Sequence, residues 1–247
     1  MAPVVHPEAE ELAINLDPEA AVREEAQALG AGLAVPGAER QALDRVDVLL
    51  GEVVPAGARG EGAATEVVDE LVALRVRALT VAEPLPEGYR GEFIGMVAPG
   101  AVAADVRFGV PASITIAQAI IESGWGKTAP GYNLFGMKGE GPAGSLRRSV
   151  VEYRHGHRGH RTASLRLYHD VGESLADHAR VLATANCYAE ARKVEEDPAA
   201  YARALVGHYA TDPHYASKLI DIAQRYDLGR FDWVRPPPSV PLVAAAE

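Results

Sequence analysis

Glu122 stands at the last turn of an otherwise apolar run, "ITIAQAIIES", followed directly by "GWG". The carboxyl end of a helix carries partial negative charge and disfavours a second negative charge beside it. Ile120, Ile121 and Trp125 surround the position with apolar side chains. Both effects raise a carboxyl pKa. An acid that keeps its proton near neutral pH can donate it to a glycosidic oxygen, and a carboxyl held against a tryptophan is one known way to arrange this. Position alone does not separate this reading from a solvated glutamate at a helix end, so the surroundings of Glu122 decide.

Two other groups invite chemistry and are set aside. His155, His157 and His160 have a spacing that can bind zinc. Arg147, Arg148, Arg154, Arg158 and Arg161 crowd the same stretch and would repel a cation. No metal is expected there; a basic tip turned to solvent or to an anionic polymer is. Cys187 is the single cysteine, so no intramolecular disulfide forms, and it is expected as a small buried apolar residue.

The elements that must hold Glu122 follow from periodicity and punctuation. Pro111 opens its helix, Ile114, Ala117, Ile120 and Ile121 recur at helical spacing, and Gly124 stops it. Residues 93–107 read as an amphipathic helix interrupted at Pro99-Gly100. Residues 128–141 are glycine-rich and irregular. "SVVEY" and "ASLRLY", within 146–168, read as two strands of a hairpin with "RHGHRGHR" at the tip. Helical patterns return at 172–185, 198–207 and 214–226.

Residues 1–90 are different in kind. They carry 17 acidic and 7 basic side chains, whereas residues 91–247 carry 17 of each, so the net charge of −10 sits on the first third. Asp17-Pro18-Glu19 opens a helix expected to run to about Leu29, ended by Gly30 and Gly32. Residues 38–50 place Ala42, Val46, Leu49 and Leu50 on one face. Residues 64–79 place Val67, Val68, Leu71, Leu74 and Leu79 near one stripe. These features read as an acidic helical segment, a small bundle or arm over residues 1–90 with a linker at 83–92. Its faces are expected to be solvated, with docking to a delivery partner as the minority use. A catalytic domain over 91–232 and a Pro-rich tail over 233–247 follow.

An acidic balance argues against nucleic acid as a partner. No window approaches eighteen uninterrupted apolar residues, so no membrane span is expected. Met1–Glu11 has three glutamates, no lysine or arginine and no apolar segment, so no signal peptide is expected.

"PASITIAQAIIESGWG" followed by "GYNLFGMKG" resembles the bacterial glucosaminidases of glycoside hydrolase family 73, the autolysin and flagellar-rod muramidase type. The resemblance continues through "SVVEY", "LRLYHDVGESLADHARVL" and "YATDPHYASKLIDIAQRYDL", covering roughly residues 92–232. It implies an α+β fold, mainly α: a lysozyme-like helical lobe with a small β-hairpin lobe, preceded here by the helical N-terminal segment. It implies peptidoglycan glycan strands as substrate, cleaved at the β-1,4 bond after N-acetylglucosamine, in the cell wall or periplasm and without a cofactor.

In that family the catalytic acid corresponds to Glu122. The second carboxylate corresponds to Glu152, although Val151 stands where the family has threonine. Tyr209 matches a tyrosine of the cleft, able to orient an acetamido group. Tyr132, Asn133 and Phe135 match the loop beside the acid, where rings stack on sugars and an amide bonds an N-acetyl group. Trp125 is expected to pack against Glu122 more than to grip sugar. Two other activities fit the same motifs: a lytic transglycosylase with a single acid, and a wall-binding module without turnover.

Overall fold

A computed structural model of the chain describes residues 18–54, 65–154 and 157–235. Three helices come first: α1 (Pro18–Gly32), α2 (Glu39–Val53) and α3 (Thr65–Ala82). Helix α2 buries the four residues its spacing selects, Ala42, Val46, Leu49 and Leu50. Helix α3 buries more than one stripe. Val67, Val68, Leu71, Val72, Leu74, Val76 and Ala78 are all in the core, because α1 and α2 cover one side and the next helix another. Helix α1 runs through Gly30 to Gly32, a turn beyond the expected end.

Helix α4 spans Tyr89–Phe108, so it claims the end of the stretch expected as a linker, and it is not interrupted at Pro99. A proline inside a helix costs about 3 kcal/mol. Val97, Ala98, Ala101 and Val102 are fully buried on either side of it, and each large apolar side chain so buried returns roughly 1.5–3 kcal/mol. Gly100 has a packing role: a Cβ there would lie 2.5 Å from Leu175 Cδ1, where α4 crosses a later helix. Helix α5 (Ala112–Ser123) follows and packs against α4.

Strands β1 (Ser145–Arg154) and β2 (His157–Arg166) form a two-stranded antiparallel sheet, in register from Ser145↔Arg166 to Arg154↔His157. Pairing therefore runs further into the Arg- and His-rich stretch than expected, leaving only positions 155 and 156 between the strands. The foot of this lobe is fastened by backbone bonds. Arg166 N–H donates to Met137 O at 2.9 Å, Gly139 N–H to Ser164 O at 2.9 Å, and Ala143 N–H to Leu167 O at 3.0 Å. Gly141 sits within that knot. A Cβ there would lie 2.3 Å from Leu167 O and 2.8 Å from Leu167 N. Backbone cannot swing aside as a side chain can, so Gly141→Ala should lower stability by about 1–3 kcal/mol, read as a fall in the urea midpoint. An unchanged midpoint would mean the foot is loose.

The rest is helical: α6 (Val171–Thr184), α7 (Ala189–Arg192), α8 (Pro198–Ala204) and α9 (Tyr215–Arg225), closed by a 3-10 turn at Leu228–Phe231. Asp170 caps α6 by accepting from Glu173 N–H at 2.9 Å, and Glu173 reaches back to His169 N–H, a reciprocal pair that fixes the start of the helix. Cys187 corrects the sequence reading. It is exposed, in a 3-10 turn (Asn186–Tyr188) between α6 and α7, where Leu182 and Ala191 already fill the core positions.

One apolar core runs from Ala26 to Trp233 without a break. The fold is mainly helical, with a small hairpin lobe and a helical N-terminal segment, as the sequence implies. No helix among the described residues is long and apolar enough to cross a membrane.

Candidate active site

Helix α5 is buried from Ala112 to Ile120, and its last turn rises out of the core. Gly124 ends it in the left-handed region (φ 57°), and Trp125 follows at φ 64°, so the chain reverses within two residues. Ser123 holds the reversal. Its hydroxyl donates to Ala119 O at 2.5 Å and accepts from Gly126 N–H at 2.7 Å, and its carbonyl accepts from Thr128 N–H and Oγ1, each at 2.9 Å. Glu122 is thereby fixed between a rigid helix and a rigid turn.

Glu122 is exposed as a residue, yet enough protein surrounds its carboxyl that desolvation raises the pKa above the ordinary 4.5. One bond opposes this: Tyr215 Oη donates to Glu122 Oε1 at 2.8 Å and favours the ionised form. Tyr215, at the start of α9, is buried, and its hydroxyl accepts from Gln118 Nε2 at 3.2 Å. Gln118 lies one turn before Glu122 on α5.

Behind Tyr215 runs a column of rings. Tyr209, half-buried, stacks on Tyr215 with centroids 5.7 Å apart and planes 18° apart. His178 of α6 meets Tyr209 edge-on at 5.6 Å. Phe135 stacks on His178 at 3.7 Å and 11°. Burial pushes the His178 pKa down to about 3, so the imidazole is neutral at any working pH. Burial likewise raises the Tyr209 phenol well above its usual range, with the nearby Tyr215 and Glu122 adding to it. Tyr209 therefore remains a neutral phenol, able to donate or accept.

The structure thus joins three of the sequence candidates, Glu122, Tyr209 and Phe135, through Tyr215, His178 and Gln118, which the sequence reading did not single out. Tyr215 closes the "YATDPHY" motif. His178 is a lone imidazole on the buried face of α6, between Ser174, Leu175, Ala179 and Leu182. That placement was the available signal.

The other candidates are placed differently. Asn133 is buried; its Nδ2 donates to Met137 O and Arg166 O, each at 2.9 Å, and its Oδ1 accepts from Met137 N–H at 2.8 Å. With both amide donors used inside the protein, Asn133 fastens the loop to the foot of β2. Tyr132 has an exposed ring. Trp125 belongs to an aromatic cluster with Tyr89, Phe93 and Tyr226, at 6.0, 5.8 and 5.1 Å. Glu152 lies on β1 opposite Gly159. Its side chain is outside the described residues, as are those of His155, His157 and His160.

A mainly helical fold with one small two-stranded sheet, and a partly desolvated carboxyl at the end of a buried helix, are the features of a lysozyme-like glycoside hydrolase domain. Residues 98–228 match the profile of the Glucosaminidase family, described as mannosyl-glycoprotein endo-beta-N-acetylglucosaminidase. The chain belongs to that family.

Among curated relatives, a probable N-acetylmuramidase of Lactococcus lactis is 37% identical over 57% of this chain and 34% of its own length. The exo-glucosaminidase LytG of Bacillus subtilis is 34% identical over 67% of this chain and 64% of its own. The peptidoglycan hydrolase FlgJ of Pseudomonas aeruginosa is 31% identical over 76% and 49%. The chain thus spans about a third to two thirds of these proteins. The catalytic domain of the Listeria monocytogenes autolysin Auto superposes with a TM-score of 0.55 at 29% identity, over 63% of this chain and 95% of that one.

Proposed function

We infer that the protein hydrolyses peptidoglycan glycan strands at the β-1,4 bond after N-acetylglucosamine, in the cell wall or periplasm. The observation that carries this reading is the Glu122 carboxyl, raised in pKa and held by Tyr215, inside the family-matched region. In the reaction, Glu122 gives its proton to the departing glycosidic oxygen as that bond to the anomeric carbon breaks. Water attacks the same carbon, and Glu152, the family's second carboxylate, takes the water's proton. Tyr209 and the exposed Tyr132 ring are suited to the acetamido group and a sugar face.

The relatives' names do not agree on the bond: one is called a muramidase and another an exo-glucosaminidase. Digestion of purified peptidoglycan with mass spectrometry of the soluble products tests the choice. The expected product carries N-acetylglucosamine at its reducing end. Reducing-end N-acetylmuramic acid would move the cut to the neighbouring bond. A 1,6-anhydro sugar would replace hydrolysis by transglycosylation, with no water attack and no need of Glu152. No soluble product would leave a wall-binding module.

A further inference from the structure

We propose that Gln118 is a positioning residue: by donating to Tyr215 it fixes the direction of the Tyr215 hydroxyl, and so decides which oxygen of Glu122 carries the acid proton. This rests on the reading of Glu122 as the general acid.

The argument is a matter of donors and acceptors. An ionised carboxylate only accepts. Tyr215 Oη lies 2.8 Å from Glu122 Oε1, so its single proton must point at that oxygen. The phenol oxygen then has only lone pairs to offer its other neighbour. Gln118, 3.2 Å away, can meet it only with its NH2 group. The direction Gln118 → Tyr215 → Glu122 is therefore forced while Glu122 is charged, and the opposite amide orientation would set two lone pairs against each other.

When Glu122 takes up its proton, the same chain stays in place without rearrangement. Oε1 is still occupied by the Tyr215 proton, so the new proton settles on Oε2. Without the Gln118 donor, Tyr215 could turn and accept. The acid proton could then sit on Oε1, spent on the phenol and withheld from substrate. Gln118 is fully buried, and its own Oε1 has no hydrogen-bond partner among the described residues. A residue kept only for packing would do better without that oxygen. The cost is intelligible if the NH2 group is what the site uses.

The test is a double-mutant cycle on soluble peptidoglycan strands, with Gln118→Met, Tyr215→Phe, the pair, and Glu122→Gln as control. Methionine conserves volume and removes the unpaired oxygen, so the melting temperature should not fall. Gln118→Met should lower kcat by about tenfold, a fraction of what a general acid contributes, at nearly unchanged KM. The alkaline limb of its pH profile should move to higher pH, because the protonated acid gains a new bond to Tyr215. In the Tyr215→Phe background, adding Gln118→Met should change neither kcat nor the limb.

An undiminished effect in that background would overturn the proposal, since Gln118 would then act through packing. So would a wild-type profile in Gln118→Met. Full activity in Glu122→Gln would remove the acid assignment itself, and the proposal with it, whatever the Gln118 variants do.

Discussion

Replacing Glu122 with glutamine should lower kcat on peptidoglycan strands by about 10²–10⁴-fold, the usual contribution of a positioned general acid. The fold should be unaffected. A glutamine oxygen still accepts from Tyr215 Oη, and the residue sits at an exposed helix end. The wild-type pH profile should carry the same signature. As the proposed general acid, Glu122 must be protonated to act, so activity should be lost as pH rises through its pKa. Desolvation raises that pKa above 4.5, with the Tyr215 bond as a partial brake. Activity should accordingly persist above the ordinary glutamate range and then decline on an alkaline limb. On the proposed mechanism an acidic limb should also appear, set by Glu152 as the group that accepts the water's proton. Two carboxyls whose surroundings push their pKa values apart can divide acid and base roles in this way. Wild-type turnover by Glu122→Gln, or an alkaline limb at the usual glutamate value, would sink the assignment.

Much of this was legible because it is local. The stripe of α2, the alternation of the hairpin strands and the position of Glu122 at a helix end are all set by residues within a few turns of one another. What failed to show depends on distant partners. Pro99-Gly100 carries every local sign of a break. The helix continues because Leu175, far along the chain, packs onto Gly100 and the flanking residues are buried on all sides. Cys187 has a composition suited to the core, but the turn that holds it lies on the surface. The motif "GYNLFGMKG" marks a loop near the acid. It does not say that the Asn133 amide bonds across to Arg166 O, 33 residues on. Tyr215 is 93 residues from Glu122 and Gln118 only four, yet their link through one phenol is visible only once α9 is laid against α5.

Arg75 gives the largest expected effect on stability, and it lies outside the family-matched region. It is 5% exposed, in the middle of α3. Its Nε donates to Asp47 at 2.7 Å, and its two terminal nitrogens donate to Phe231 O at 3.0 Å and Asp232 O at 2.9 Å. The same junction seats the first turn of α5. Asp232 Oδ1 accepts from Ser113 N–H at 2.7 Å, and Asp105 Oδ2 accepts from Ala112 N–H at 3.3 Å and Trp233 N–H at 2.9 Å. Removing one partner of a buried charge pair costs about 3–5 kcal/mol, so Arg75→Met should shift urea unfolding by roughly that much at pH 8.

The loss should be smaller at pH 5. Burial pushes Asp105 up to about 7, while Asp232 and Asp47 are also raised, and Arg75 pulls all three back. A carboxyl whose folded pKa exceeds its unfolded value holds its proton more tightly in the fold. Stability therefore drains away as pH rises from the ordinary aspartate value of 3.8 through the folded one. Without Arg75 the folded values rise further and the drain deepens. At pH 5 the most raised of these groups is mostly neutral and needs the cation less. Equal losses at the two pH values would mean that the arginine acts by packing alone. The consequence for the enzyme turns on α5, whose first turn rests on this junction and whose last turn carries Glu122. A lower kcat in the folded fraction of Arg75→Met would make the N-terminal helices part of the catalytic apparatus; an unchanged kcat would confine Arg75 to stability.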